Sequence, residues 1–119
     1  GKYMALTNNP DVQKGIKRMK MTASGIVPGI GPGNEFFGVV MTTAGTTTTA
    51  SCYDAASADA NNLLAPTSAT LTAGQYVGPF GGVVPITAAF PVPYGAYLNT
   101  GLYLAIGGTG SPVFWVLYR

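Results

Sequence analysis

Histidine is absent from this 119-residue chain, and Asp11, Glu35, Asp54 and Asp59 are its only carboxylates. General acid and base catalysis needs a titratable pair within reach of a substrate. Without an imidazole, Ser-His-Asp and Cys-His arrangements are excluded, and the chain reads as a non-enzyme. Imidazole and thiolate metal sites fail for want of ligands, so no metal or cofactor is expected. Asp54, Asp59, Asn61 and Asn62 could offer oxygens to calcium from one loop, but their spacing matches no EF-hand, and a polar loop is the better reading. The lone Cys52 forms no intrachain disulfide and reads as a small core residue on a strand. Gly29-Ile30-Gly31-Pro32-Gly33 contains a GxG, but Pro32 and the missing third glycine spoil a dinucleotide fingerprint and leave a bend.

Two groups remain that could bind rather than react. The first is basic: residues 1–20 carry Lys2, Lys14, Lys17, Arg18 and Lys20 against Asp11, a net +4, while residues 21–119 carry Arg119 against Glu35, Asp54 and Asp59, a net −2. Such an asymmetry points to an arm that docks on something acidic. Nucleic acid is disfavoured, because only Tyr3 in the arm could stack on a base. The second group is aromatic: Tyr76, Phe80, Phe90, Tyr94, Tyr97 and Tyr103 could stack on a sugar, which keeps a glycan-binding module open as an alternative. Packing claims most such residues by default.

The elements that must position these groups follow from pattern. Asn9-Pro10-Asp11 has the form of a helix start, and a helix there would put Val12, Ile16 and Met19 on one face and Lys14, Lys17, Arg18 and Lys20 on the other. Gly15 weakens it, so the expectation is an arm that becomes ordered on a partner. Ser24 to Asn34 reads as a Gly/Pro-punctuated linker. From Glu35 onward everything reads as β. Phe36 to Thr43 and Thr46 to Tyr53 form an expected antiparallel pair about Ala44-Gly45. Leu102 to Ile106 and Val113 to Tyr118 flank Gly107-Gly108-Thr109-Gly110-Ser111-Pro112, an expected hairpin. With about seven or eight short strands, several broken by proline, the prediction is an all-β, single antiparallel β-sandwich or jelly-roll-like body at 35–119, preceded by an extended basic N-terminal arm and linker at 1–34.

Only 8% of residues are charged and 47% are hydrophobic, where about 25% charged is usual. A folded chain of this size exposes roughly 6,000 Å², and ten charged side chains must serve it. Much of that surface is therefore expected to be buried by partners or covered by Thr, Ser and Asn hydroxyls and amides. The last strand sharpens the point, because alternation gives it two apolar faces: Val113, Trp115 and Leu117 on one, Phe114, Val116 and Tyr118 on the other. Phe114, Val116, Tyr118 and the terminal Arg119 are accordingly the candidates for an oligomer interface. No apolar run approaches the ~18 residues of a membrane span, and no membrane partner is expected.

FFGVVMTTAGTT at 36–47, SCYDAAS at 51–57, VPITAAFP at 84–91 and TGLYLAIGGTGSPVFWVLY at 100–118 together resemble small β-sandwich structural proteins of tailed bacteriophage virions, in particular capsid decoration (cement) proteins. The resemblance implies a sandwich body, commonly a homotrimer, on the outer capsid surface, where it bridges copies of the major capsid protein. Joined to the charge asymmetry, it leads to the expectation that body surfaces associate the subunits. Val12, Lys14, Ile16, Lys17, Arg18, Met19 and Lys20 would then clamp an acidic capsid groove. A tail, neck or fibre component is the alternative virion role.

Overall fold

The computed structural model describes residues 15–65, 68–79 and 95–119, and the backbone of 83–85. Its strands are β1 (Lys17–Met21), β2 (Gly25–Ile26), β3 (Glu35–Thr43), β4 (Thr46–Tyr53), β5 (Leu63–Ala65), β6 (Gln75–Val77), β7 (Val83–Pro85), β8 (Ala96–Tyr97), β9 (Tyr103–Thr109) and β10 (Val113–Tyr118), with one 3-10 turn at Ala60–Asn62. They form two antiparallel sheets. One has four strands in the order β2-β9-β4-β5; the other has six, in the order β1-β10-β3-β6-β7 with β8 also on β3. The all-β sandwich expected from strand spacing is what the chain adopts, and no α-helix occurs among the described residues.

The strand pairings differ from the expected hairpins in an instructive way. β3 and β4 are not partners, nor are β9 and β10. Instead β4 pairs with β9 in the four-stranded sheet, and β3 pairs with β10 in the six-stranded one. Residues 35–53 and 103–118 thus make one long ribbon folded over on itself, with half in each sheet. Strands that switch sheets at a corner are a standard way to close a sandwich. The fold lines are the two segments whose composition suggests hairpin turns, and they lie against each other: a Cβ on Gly45 would sit 2.3 Å from the Thr109 carbonyl oxygen, and one on Gly108 would sit 2.4 Å from that of Thr46. Gly108 and Gly110 also have φ of 93° and 91°, which side chains with a Cβ rarely adopt. Glycine serves here to let two backbones cross.

The folded ribbon traps the core between its halves. Phe36, Val39, Met41, Phe114 and Val116 point in from the six-stranded sheet, and Ala50, Cys52, Ala65 and Leu104 from the four-stranded one. Val27 and Ile30, from the segment with the composition of a linker, are buried in the same cluster with Leu71, Leu98 and Leu102. Burial pushes the Cys52 thiol up to about 12, so it is inert as a nucleophile, as its core reading requires.

The helix expected before residue 21 gives way to β1. Arg18-Met19-Lys20-Met21 alternates charged and apolar residues with period 2, and Met19 and Met21 pack on the core while Arg18 and Lys20 are exposed. The ladder to β10 and the burial of two methionines outweigh a helix that Gly15 already weakens. The sheets consequently begin by Lys17, not at Glu35. Val12 and Lys14 lie outside the described residues.

Candidate functional site

β10 sits between β1 and β3, and register places its outward side chains. Trp115 lies opposite Lys20 on one side and Val40 on the other, and Val40 lies opposite Tyr76. Leu117 lies between Arg18 and Gly38. Directly paired residues share a face of the sheet, so the outer face of the six-stranded sheet carries an exposed basic margin, Arg18 and Lys20, then the half-buried Trp115 and Leu117, and then a buried apolar centre at Val40 and Tyr76. The Arg18 guanidinium stands 5.0 Å from the Trp115 ring centroid, a cation–π contact that holds the side chain over the indole. Among the described residues, no ion pair engages Lys17, Arg18 or Lys20.

The expected oligomer interface is corrected by this geometry. Phe114 and Val116 are fully buried between the sheets, so neither presents a surface to a neighbouring subunit, and Tyr118 packs on the same cluster while remaining partly exposed. Alternation separates the two faces of β10 correctly, but only the pairing of the sheets decides which one turns inward. Arg119 is likewise engaged within the chain. Its Nη2 donates to Glu35 Oε1 at 2.9 Å, its backbone exchanges two hydrogen bonds with that of Glu35, and its guanidinium covers the Phe37 ring at 5.3 Å.

Of the aromatic candidates, Tyr76 is structural. Its ring lies over Gly38 and Gly78, where any Cβ would collide with it, and its hydroxyl donates to the Phe37 carbonyl. Burial, with the charge of Cys52 adding to it, pushes the Tyr76 phenol up to about 12. Tyr97 is 71% exposed on β8. Tyr103 packs beside Tyr53 with ring centroids 6.4 Å apart. Phe80, Phe90 and Tyr94 lie outside the described residues.

The loop carboxylates organise backbone. Asp59 accepts from the N–H of Asn61 and the amide of Asn62, capping the 3-10 turn. Asp54 accepts from the backbone N–H groups of Asn99, Thr100 and Gly101. Partial burial pushes its carboxyl up, but those three donors together win and hold it below the ordinary carboxylate range.

Sequence reasoning misses one feature altogether. In the four-stranded sheet, Ile26 pairs with Tyr103, Tyr103 with Tyr53 and Tyr53 with Leu63, so four apolar side chains form one row on its outer face. The strands that carry them are short or far apart in the chain, and no local period could align them. Comparison of the chain with family models, with curated proteins and with solved structures gives no match.

Proposed function

We propose that this chain is a non-enzymatic structural protein of a bacteriophage virion, a capsid decoration (cement) protein that oligomerises and binds the outer surface of the head. The observation that carries the reading is the distribution of charge. A sandwich with 8% charged residues has Lys17, Arg18 and Lys20 on one edge strand, the last two beside Trp115, and no ion pair within the described chain uses them. Cations on a charge-poor, partly apolar margin suit an acidic protein surface, which supplies both Coulomb attraction and cover. Attachment of many copies would stabilise a shell by mass action, without chemistry. The virion resemblance and the sandwich are consistent with that role.

The test is co-sedimentation of the full chain with undecorated heads. Stoichiometric, salt-sensitive binding that raises the melting temperature of the heads is expected, and no binding at low salt sinks the proposal. The exposed Tyr97 supports a second reading, a glycan-binding module. A melting shift with sugars that vanishes in Tyr97→Ala would favour it.

A further inference from the structure

We infer that the acidic surface met by β1 is the outer face of the four-stranded sheet of a second copy of this chain. The inference rests on the assembly reading above and names the partner within it.

The acceptor face has an apolar row and an acidic end. Ile26 and Leu63, at the two ends of the row, are 57% and 43% exposed, and Tyr53 and Tyr103 lie between them in direct register. The next pairs along the same face are Ser51 with Ala105 and Thr49 with Gly107. Beyond the tyrosines the side chains are small, and Ser51 is already buried within the chain. A row of four large apolar residues across every strand of a sheet, none carrying a charge, is the kind of patch that calls for cover.

Its charge tells which cover fits. Asp54 follows Tyr53 in the chain and its N–H donates to the Asn62 carbonyl, directly before Leu63; Asp59 binds both Asn61 and Asn62. Asp59 thus flanks the Leu63 end of the row, and the Asp54 carboxylate is turned to the N–H groups of Asn99, Thr100 and Gly101, just before Tyr103. No described cation belongs to this sheet, since Lys17, Arg18 and Lys20 are on β1 and Arg119 follows β10, both in the other sheet. The two charge groups, three cations and two carboxylates, stand on different sheets of one molecule and form no ion pair with each other. Between two copies they are complementary, with the basic edge strand of one meeting the acidic end of the row on the next. The same face placed on itself in parallel would set Asp54 and Asp59 against their own copies. An interface between two different surfaces is heterologous, and it generates a ring where the rotation closes.

Sedimentation velocity of the full chain tests this, with folding of each variant checked by circular dichroism. Wild type is expected to associate, less so at high salt, because exposed pairs are screened beyond about 8–10 Å at physiological ionic strength. Lys17→Glu with Lys20→Glu, and separately Asp59→Lys, should each weaken association about tenfold or more. An equimolar mixture of the two variants should recover pairwise association between unlike copies, because each then offers the charge that the other lacks, although a ring of odd size keeps one mismatched joint. Leu63→Lys, which leaves the Asp59 cap intact, should weaken association to a similar degree. A wild type that stays monomeric, an oligomer indifferent to these changes, or a mixture that fails to recover overturns the inference. Head binding of the same proteins keeps the two ideas apart: an oligomer that behaves as expected but ignores heads discards the functional proposal alone, and a monomer that binds heads discards this inference alone.

Discussion

The two sheets share one core and differ on their outer surfaces. The six-stranded sheet carries on its outer face a cationic edge strand, an indole under Arg18, and a buried tyrosine packed over two glycines. The four-stranded sheet turns outward a tyrosine pair and two exposed aliphatics with no cation. On the inner sides the large Phe, Val and Met side chains of the six-stranded sheet meet the smaller Ala and Cys, with Leu104, of the four-stranded one. On the outer sides the sheets differ in charge, and that difference makes one surface a natural complement to the other.

The largest expected effect breaks the shared interior. Phe114→Ala removes a fully buried ring from the six-stranded side, and its cost is about 3–5 kcal/mol by urea denaturation. Trp115→Ala, one residue along but on the outer face, should cost clearly less, and equal losses would show that the outer face is as closely packed as the core. Next come the crossing points. Gly108→Ala sets a Cβ against the Thr46 carbonyl at a positive φ, and a loss of about 2–3 kcal/mol is expected. A silent Gly108→Ala would mean that the two halves of the ribbon are not folded as closely as described.

A pH titration then probes a buried group on each sheet. Tyr76, on the six-stranded sheet, and Cys52, on the four-stranded one, both have raised values. The unfolded chain ionises them first, so stability held below their ordinary values is lost as pH rises toward about 12. Tyr76→Phe should flatten the alkaline fall in melting temperature, and phenolate absorbance should show Tyr76 titrating late. Asp54 has the opposite sign. Its lowered value contributes stability above the ordinary carboxylate range that is lost as pH falls through the folded value. Asp54→Asn should lower the melting temperature at neutral pH and reduce its acid dependence. The smallest effect is Arg18→Ala, about 0.5–1 kcal/mol for an exposed cation–π contact, read as a change in tryptophan fluorescence with little change in melting.

Several elements are legible in residue type and spacing. TTTTASCY and FFGVVMTT are β-branched or apolar runs of strand length, and both are strands. Cys52 has the size and setting of a core residue and is buried. Similar turn chemistry is visible at 42–46 and 107–111, but not that these segments lie against each other at the corners of one ribbon. Nothing local distinguishes a glycine that closes a hairpin from one that sends the chain to another sheet. RMKM shows a similar limit. Its period-2 alternation competes with a plausible helix start upstream, and only the free edge of β10, available once the chain has folded, decides for the strand.

Sequence alone determined that this chain would be a β-sandwich, that it would lack the side chains for imidazole-assisted nucleophilic chemistry, and that its cations would cluster before residue 21. Those follow from residue type and short-range pattern, which act wherever the chain goes. Tertiary structure decided which face of β10 became core, that β1 joined the body, and that Ile26, Tyr103, Tyr53 and Leu63 came into one row. Each of these depends on pairings between strands distant in sequence, and alternation along a strand is the same whichever side its partner sheet covers.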